Sequence, residues 1–313
     1  MSTCTSEIYR GYNSDDIEFI RSSCLNSPKI FNDFYTDCFG VKTSFECIPF
    51  MDPSNLNIER LKLPVPDDGF HAETIEYFAL LDSLERSKNA GEFIAVELGA
   101  GWGPWITTGG VIARKNKIPK IILIGVEGHE GRYKLLKKHL SNNNFTPLEL
   151  EGEIDILEYD QRSYVFNGVV WVNDGEVYFP QDNIVDMGTS ASSDKENIDY
   201  RGHKIEIHPT PCLTLPTICQ GLKIVHFLHI DIQGAEFEIL NKNVEWLNNT
   251  VRTLMVATHS RVIEGYLIEL LLKNNWALSR EKPCRVDWQS TQGDLKGWTT
   301  KDGSQYWINQ NNN

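Results

Sequence analysis

The chain has 313 residues, of which 41% are hydrophobic and 23% charged, the make-up of a soluble globular protein rather than a disordered or collagen-like one. Its formal charge of −13 works against a sequence-independent grip on phosphate backbones, so nucleic acid is not an expected partner. No apolar run approaches the roughly 18 residues of a membrane helix, and the opening MSTCTSEIYR lacks the basic and apolar regions of a secretion signal, so a cytoplasmic protein without a membrane partner is expected. The seven cysteines include no C-x-x-C pair and read as reduced thiols, neither a disulfide framework nor a zinc site.

The first ninety residues are irregular and carry Pro49, Pro53, Pro64 and Pro66; residues 1–90 are read as an N-terminal extension and 91–313 as the main domain. Within the extension, Ile75, Phe78, Ala79, Leu81 and Leu84 recur at helical spacing and predict a helix over His71 to Lys88. The main domain opens with the buried-strand pattern Phe93 to Leu98, the turn GAGWGPW and an apolar helix over Ile106 to Ala113. Ile121 to Glu127 is the second strand, and Tyr133, Leu136 and Leu140 mark the helix after it. Leu148 to Leu157 and Ser163 to Phe179 read as β-rich, with Asn173-Asp174-Gly175 predicting a hairpin between VVWV and EVYF. The polar segment Asp182 to Gly202 is long for a plain connection and reads as a lid or as disorder. Then come a strand over His226 to Asp231, a helix over Glu236 to Leu247, a strand over Val251 to Thr258, a helix over Val262 to Asn274, and closing strands at Ala277 to Ser279 and Gln305 to Ile308. Strands separated by helices call for a doubly wound α/β sheet with parallel neighbours, and ligands in such sheets sit beyond the carboxyl ends of the strands.

Those ends carry the chemistry. The first strand runs into Glu97-Leu98-Gly99-Ala100-Gly101-Trp102-Gly103, whose glycines permit a sharp turn and close backbone approach before a helix N-terminus, a cradle for a nucleotide-like ligand. Pro104 stands where the third glycine of a dinucleotide G-x-G-x-x-G belongs, which weakens a hydride-transfer reading. Glu97 and Glu127 end neighbouring strands, and together suggest recognition of a cationic amine and a ribose diol. Asp231 closes an apolar strand and needs a partner or an open cleft. His259 ends the next strand, where an imidazole suits the removal of a proton.

Glu97 to Gly103 resembles motif I of class I S-adenosylmethionine-dependent methyltransferases, and Glu127 the acid that closes their second strand. His229-Ile230-Asp231-Ile232-Gln233-Gly234-Ala235-Glu236 resembles the K-x-D-x-E-G-x-E signature of the FkbM family, rich in O-methyltransferases of sugars and natural products, with His229 replacing the lysine and Gln233 the first glutamate. The resemblance spans about residues 92–280. It implies a Rossmann-like methyltransferase sheet, S-adenosylmethionine held by Glu97, Gly99, Gly101 and Glu127, and a reaction site lined by Asp231 and Glu236. With their neighbours Ala100, Trp102 and Gly128 added to the cofactor set, and the strand residues His259 and His229 to the catalytic one, these are the candidate site residues. The implied reaction is methyl transfer to a hydroxyl of a small-molecule or glycan acceptor.

Two other classes share some of these features. A nucleotide-dependent oxidoreductase or epimerase would use the same crevice but lacks its third glycine and a Tyr-x-x-x-Lys pair; a non-catalytic module would keep the cofactor pocket and bind without turnover. The run His226-x-x-His229-x-Asp231 raises a divalent metal as a further, unfavoured cofactor; on a strand His226 points away from the other two, so no metal site is assigned. Trp102, Trp105, Trp288, Trp298 and Trp307 are candidates for stacking on a sugar face, with packing as the commoner role. Oligomeric state and acceptor identity leave no mark in the sequence.

Overall fold

The computed structural model describes residues 14–56, 58–61, 74–154, 161–181, 183–193, 204–287 and 298–311. Its centre is an eight-stranded sheet of β1 (Glu92–Leu98), β2 (Lys120–Glu127), β3 (Pro147–Glu149), β4 (Gln161–Asn167), β5 (Val225–Ile230), β6 (Val251–Thr258), β7 (Trp276–Lys282) and β8 (Gly303–Asn309). The strands lie in the order β3-β4-β2-β1-β5-β6-β8-β7. All neighbours are parallel as far as β6, and β8 runs antiparallel to both β6 and β7. Strand order reverses on either side of β1, so the crevice between β1 and β5 is where a doubly wound sheet receives a ligand.

Alternation along each strand feeds two cores. Phe93 and Ala95 of β1, Ile121 and Leu123 of β2, and Phe227 of β5 join one buried cluster, whereas Ile94, Val96, Leu98, Ile122, Ile124, Leu228 and Ile230 join the other. The first face is covered by α1 (Thr74–Ser87), α2 (Pro104–Lys115) and α3 (Glu130–Asn142). The second is covered by α4 (Glu236–Lys242), α5 (Val244–Thr250) and α6 (Arg261–Lys273). By the same period of two, Glu97, Glu127 and His229 fall on the α1–α3 face.

α1 lies across β1, β5, β6 and β8 and is buried along most of its length, from Ile75 and Tyr77 to Leu80 and Leu84, with Glu85 and Arg86 exposed near its end. Polar ties hold it: Asp82 accepts from the Tyr306 hydroxyl at 2.6 Å, and the hydroxyls of Ser83 and Thr253 meet. Earlier in the extension, the helix Ser14–Ser23 is fastened to β7 by Arg280, whose guanidinium donates to both oxygens of Asp16 at 2.6 and 3.0 Å. A three-stranded sheet of Lys29–Ile30, Phe34–Thr36 and Lys42–Ser44 follows.

Two expectations are corrected. The hairpin over Asn173-Asp174-Gly175 does not form, because Ile207–Leu213 inserts between Val169–Val170 and Gly175–Pro180, antiparallel to the latter and parallel to the former. Pro209 and Pro211 disguise that strand; two residues apart, both present their missing N–H to the side on which 207–211 have no neighbour. The single helix from Glu236 to Leu247 is instead α4 and α5, divided at Asn243, whose side-chain amide donates to the Ile239 carbonyl. Residues 71–73, 155–157, 182, 194–202 and Trp288 of the predicted elements lie outside the described residues. Among the described residues no helix is long and apolar enough to cross a membrane, and the six described cysteines are unbridged.

Candidate active site

The ends of β1, β2 and β5 open onto a cavity of about 380 Å³, within the usual range for a small-molecule site. Its wall includes every residue assigned to the cofactor from the sequence: Glu97, Gly99, Ala100, Gly101, Trp102, Glu127 and Gly128. Gly99 has φ +74°, and a Cβ there would fall well inside 3.0 Å of the Asp231 carbonyl oxygen, so β5 itself requires glycine at this position. Gly101, at φ +56°, faces the cavity instead; a Cβ there would come 3.1 Å from the Met187 methyl. Pro104 begins α2 at its first turn, where a missing N–H costs nothing.

Glu97 and Glu127 are both buried. Glu97 spends its two oxygens on the first turn of α2, accepting from the backbone of Ile106 at 2.9 Å and of Trp105 at 3.5 Å. Burial pushes its carboxyl up to about 8, against the pull of His229. Glu127 accepts from the N–H groups of Gly101 and His129, each at 2.7 Å, and so couples the glycine turn to the end of β2. Its carboxyl is raised by burial, with the Arg132 guanidinium opposing.

Beyond β5 the chain turns through Gln233, at φ +57°, and Gly234. Asp231 lines the cavity with its side chain 38% exposed, open enough for a ligand to reach. The residue that replaces the family's glutamate, Gln233, donates its amide to Asp231 at 3.1 Å, where a glutamate would add a second negative charge. Behind Asp231 stands His259, with Nε2 3.2 Å from Asp231 and Nδ1 2.6 Å from Glu236. Burial alone would lower the His259 imidazole; the carboxylates of Glu236 and Asp231 override it and hold the ring well above its ordinary value. Burial opposes ionisation of Asp231 as well, but its bond to His259 leaves it below the usual carboxylate range.

The structure therefore brings Asp231, His259 and Glu236 into one ion cluster, its His259 and Glu236 buried and its Asp231 open to the cavity. Only Asp231 of the three lies on the cavity wall. Glu236, fully buried and also accepting from the Gly234 N–H at 2.9 Å, acts on the site through His259. His229 lines the cavity but pairs with Glu76 of α1 at 3.0 Å. Burial would lower its imidazole, and the hydrogen bond to Glu76 with the fields of Glu76 and Glu97 raises it instead. His226 points to the other side of the strand, accepting from the Ile94 N–H at 3.1 Å. Among the described residues no group of three or more histidines, cysteines and carboxylates has the arrangement of a metal site.

Three wall residues escape the sequence reading. Glu76 is buried between Ile75 and Tyr77 in the first turn of α1, a position that demands a partner. Asp302 reaches the cavity from the start of β8, 3.9 Å from His259, and burial raises its carboxyl. Arg132, in the first turn of α3 and buried, donates to the Asp186 carbonyl at 3.0 Å and the Thr189 hydroxyl at 2.9 Å. It thereby fixes the described part of the polar segment, 183–193, against the cavity, where Met187, Gly188, Thr189 and Ala191 form wall. The extension adds Phe50, whose ring lies 5.8 Å from that of Trp102. Trp307 is fully buried and forms core.

Residues 115–265 match the model of the methyltransferase FkbM domain. Just under half of the chain is thus similar to that domain. Its reaction class is methyl transfer, and the cofactor the family implies is S-adenosylmethionine. A protein described as "Putative methyltransferase" from Jannaschia sp. (strain CCS1) is 28% identical over 272 residues, covering 85% of this chain and 89% of that one. Among solved structures, the methyltransferase FkbM from Methylobacillus flagellatus KT aligns with a TM-score of 0.38 at 10% identity, over 75% of this chain and 54% of that chain. The human methyltransferase 10 domain containing protein aligns with a TM-score of 0.35 at 12% identity, over 95% of this chain and 99% of that chain.

Proposed function

We propose that this protein transfers the methyl group of S-adenosylmethionine to a hydroxyl of a sugar or sugar-containing metabolite. The donor set suits that cofactor: a carboxylate at the end of β2 for a ribose diol, a glycine turn that a side chain would fill, and a wall whose carboxylates favour a cation. When bound, the cofactor supplies an electrophilic methyl on a sulfonium centre; the chain has to orient the acceptor oxygen and receive its proton.

The observation that carries the reading is the pair Asp231 and Asp302 on the cavity wall with His259 behind them. Two carboxylates side by side accept hydrogen bonds from a polyhydroxyl acceptor and repel a phosphate-bearing one. With its imidazole held well above its ordinary value by Glu236 and Asp231, His259 positions the Asp231 carboxylate from behind. Asp231, the cavity-wall carboxylate beside His259, orients the hydroxyl and is placed to take its proton, with Asp302 also on the wall.

The test is methyl transfer from radiolabelled S-adenosylmethionine to a panel of glycosides and to RNA and peptide, with the product's O-methyl group located by NMR. Asp231→Asn is expected to lower turnover by about 10²–10⁴, the usual contribution of a positioned acid or base, while affinity for S-adenosylhomocysteine survives. Transfer to RNA or peptide and to no glycoside would sink the reading.

A further inference from the structure

Glu76 belongs to the extension, outside every motif that marks the cofactor site, yet it lines the cavity. Its side chain is 5% exposed. One oxygen, Oε1, is 3.0 Å from Nε2 of His229; the other, Oε2, has no hydrogen-bond partner among the described residues. A buried carboxylate oxygen without a donor is costly unless a ligand supplies one.

Both oxygens of Glu97 face the N–H groups of α2 and both of Glu127 accept from Gly101 and His129, so among these three acids only Glu76, at Oε2, has an oxygen without a donor among the described residues. Glu97 stands directly across from His229 in the β1–β5 register, so Glu76, His229 and Glu97 form one buried patch where the two strands end. Glu127 lies on the opposite side of β1, at the end of β2. Two strand spacings, about 10 Å, separate β2 from β5, and a cofactor whose ribose meets Glu127 extends its amino-acid arm across β1 toward that patch.

Resting on the cofactor assignment above, we propose that Glu76, steered by His229, receives the α-ammonium group of S-adenosylmethionine. The extension then supplies a cofactor contact, and helix α1 is part of the binding site as well as of the core. The substitution of histidine for the family's lysine at 229 fits this role. A lysine ammonium beside Glu76 would compete with the ligand's own ammonium, whereas an imidazole, bonded through Nε2 to a single oxygen, leaves Oε2 for it.

The test is calorimetric binding to the full chain, with no turnover required. S-Adenosylhomocysteine carries the amino-acid arm, and 5′-methylthioadenosine keeps the nucleoside without it. Glu76→Gln is expected to weaken S-adenosylhomocysteine about ten- to hundredfold, the loss that follows removal of a hydrogen bond to a charged group, and to leave methylthioadenosine within about twofold of wild type. Equal loss for both ligands makes Glu76 a structural residue, and unchanged affinity for S-adenosylhomocysteine means its free oxygen is not used; either overturns the proposal. If the wild-type protein binds neither ligand, the cofactor reading fails and takes the proposal with it. Should Glu76→Gln not fold, Glu76→Asp, which withdraws the carboxylate yet keeps its charge near His229, must show the same selective loss, and its absence overturns the proposal equally.

Discussion

Replacing Glu236 by glutamine removes a negative charge from a place that water does not reach, and its effect on stability should depend on pH in a defined way. Glu236 is fully buried and its Oε1 lies 2.6 Å from His259. The folded protein holds the His259 proton well above the ordinary imidazole value, Glu236 and Asp231 overcoming burial. A group whose folded pKa exceeds its unfolded one contributes stability that is complete below the unfolded value, about 6.5. That contribution is lost as pH rises through the folded value, at about 1.4 kcal/mol per pH unit per group. In Glu236→Gln the ring keeps only Asp231 and the more distant Asp302, so its folded pKa falls back and its share of the slope shrinks. At pH 6.5 the variant should be less stable by about 3–5 kcal/mol, the cost of stripping one partner from a buried pair. That gap should narrow by up to about 1.4 kcal/mol for each pH unit above it. His229, raised through Glu76, and Glu97, raised to about 8 by burial, slope in the same direction but are common to both proteins. The difference therefore isolates His259. Urea unfolding followed by circular dichroism from pH 6.5 to 8.5 measures it. A gap that stays constant over that range would mean that removing Glu236 leaves proton binding at His259 unchanged, and the coupling between the two described above would be wrong.

Gly99→Ala and Gly101→Ala should separate scaffold from ligand. The first drives a Cβ into the Asp231 carbonyl and holds alanine at positive φ, so thermal unfolding should show a loss beyond the roughly 1–2 kcal/mol of left-handed strain alone. The second carries the same left-handed strain, at φ +56°, but its Cβ meets only the flexible Met187 methyl, so it should lower Tm less than Gly99→Ala while weakening S-adenosylhomocysteine binding; equal Tm losses would contradict the distinction. Glu127→Ala should cost S-adenosylhomocysteine about 1–3 kcal/mol by calorimetry, and unchanged affinity in the folded variant would remove Glu127 from the cofactor contacts.

Much of the sheet was legible because its strands are short apolar runs cut by glycine and its helices repeat at close to four residues. Phe93 to Leu98, Ile121 to Glu127 and Val251 to Thr258 fall within one residue of the observed strands. What failed was local evidence for pairing. Asn173-Asp174-Gly175 is a sound turn signal, but a turn does not say which strand lies beside it, and the proline-bearing strand from Ile207 came between. At the site, residues in the glycine turn and at the ends of β2 and β5 were readable because topology places them together. Glu76 was not, since one acid on an amphipathic helix looks like part of its solvent face, and here that face lies at the other end of the helix, at Glu85 and Arg86. Asp302 sits far along the chain from any motif and only the completed sheet brings it to the cavity, while Arg132, a few residues after Glu127, shows its role only once the segment 183–193 folds against it.

The position of β1 at the centre of the sheet has a consequence for synthesis. One of its flanks pairs with β2, which follows almost at once, but the other waits for β5. At about 5–20 residues per second on the ribosome, the stretch from Leu98 to Val225 takes on the order of ten seconds to emerge. During that interval β1 presents Ile94, Val96 and a row of unpaired N–H and C=O groups, the kind of edge that recruits other chains. The nascent half-sheet is thus the aggregation-prone stage in the life of this protein, and a chaperone or slow translation would matter most between the second and fifth strands.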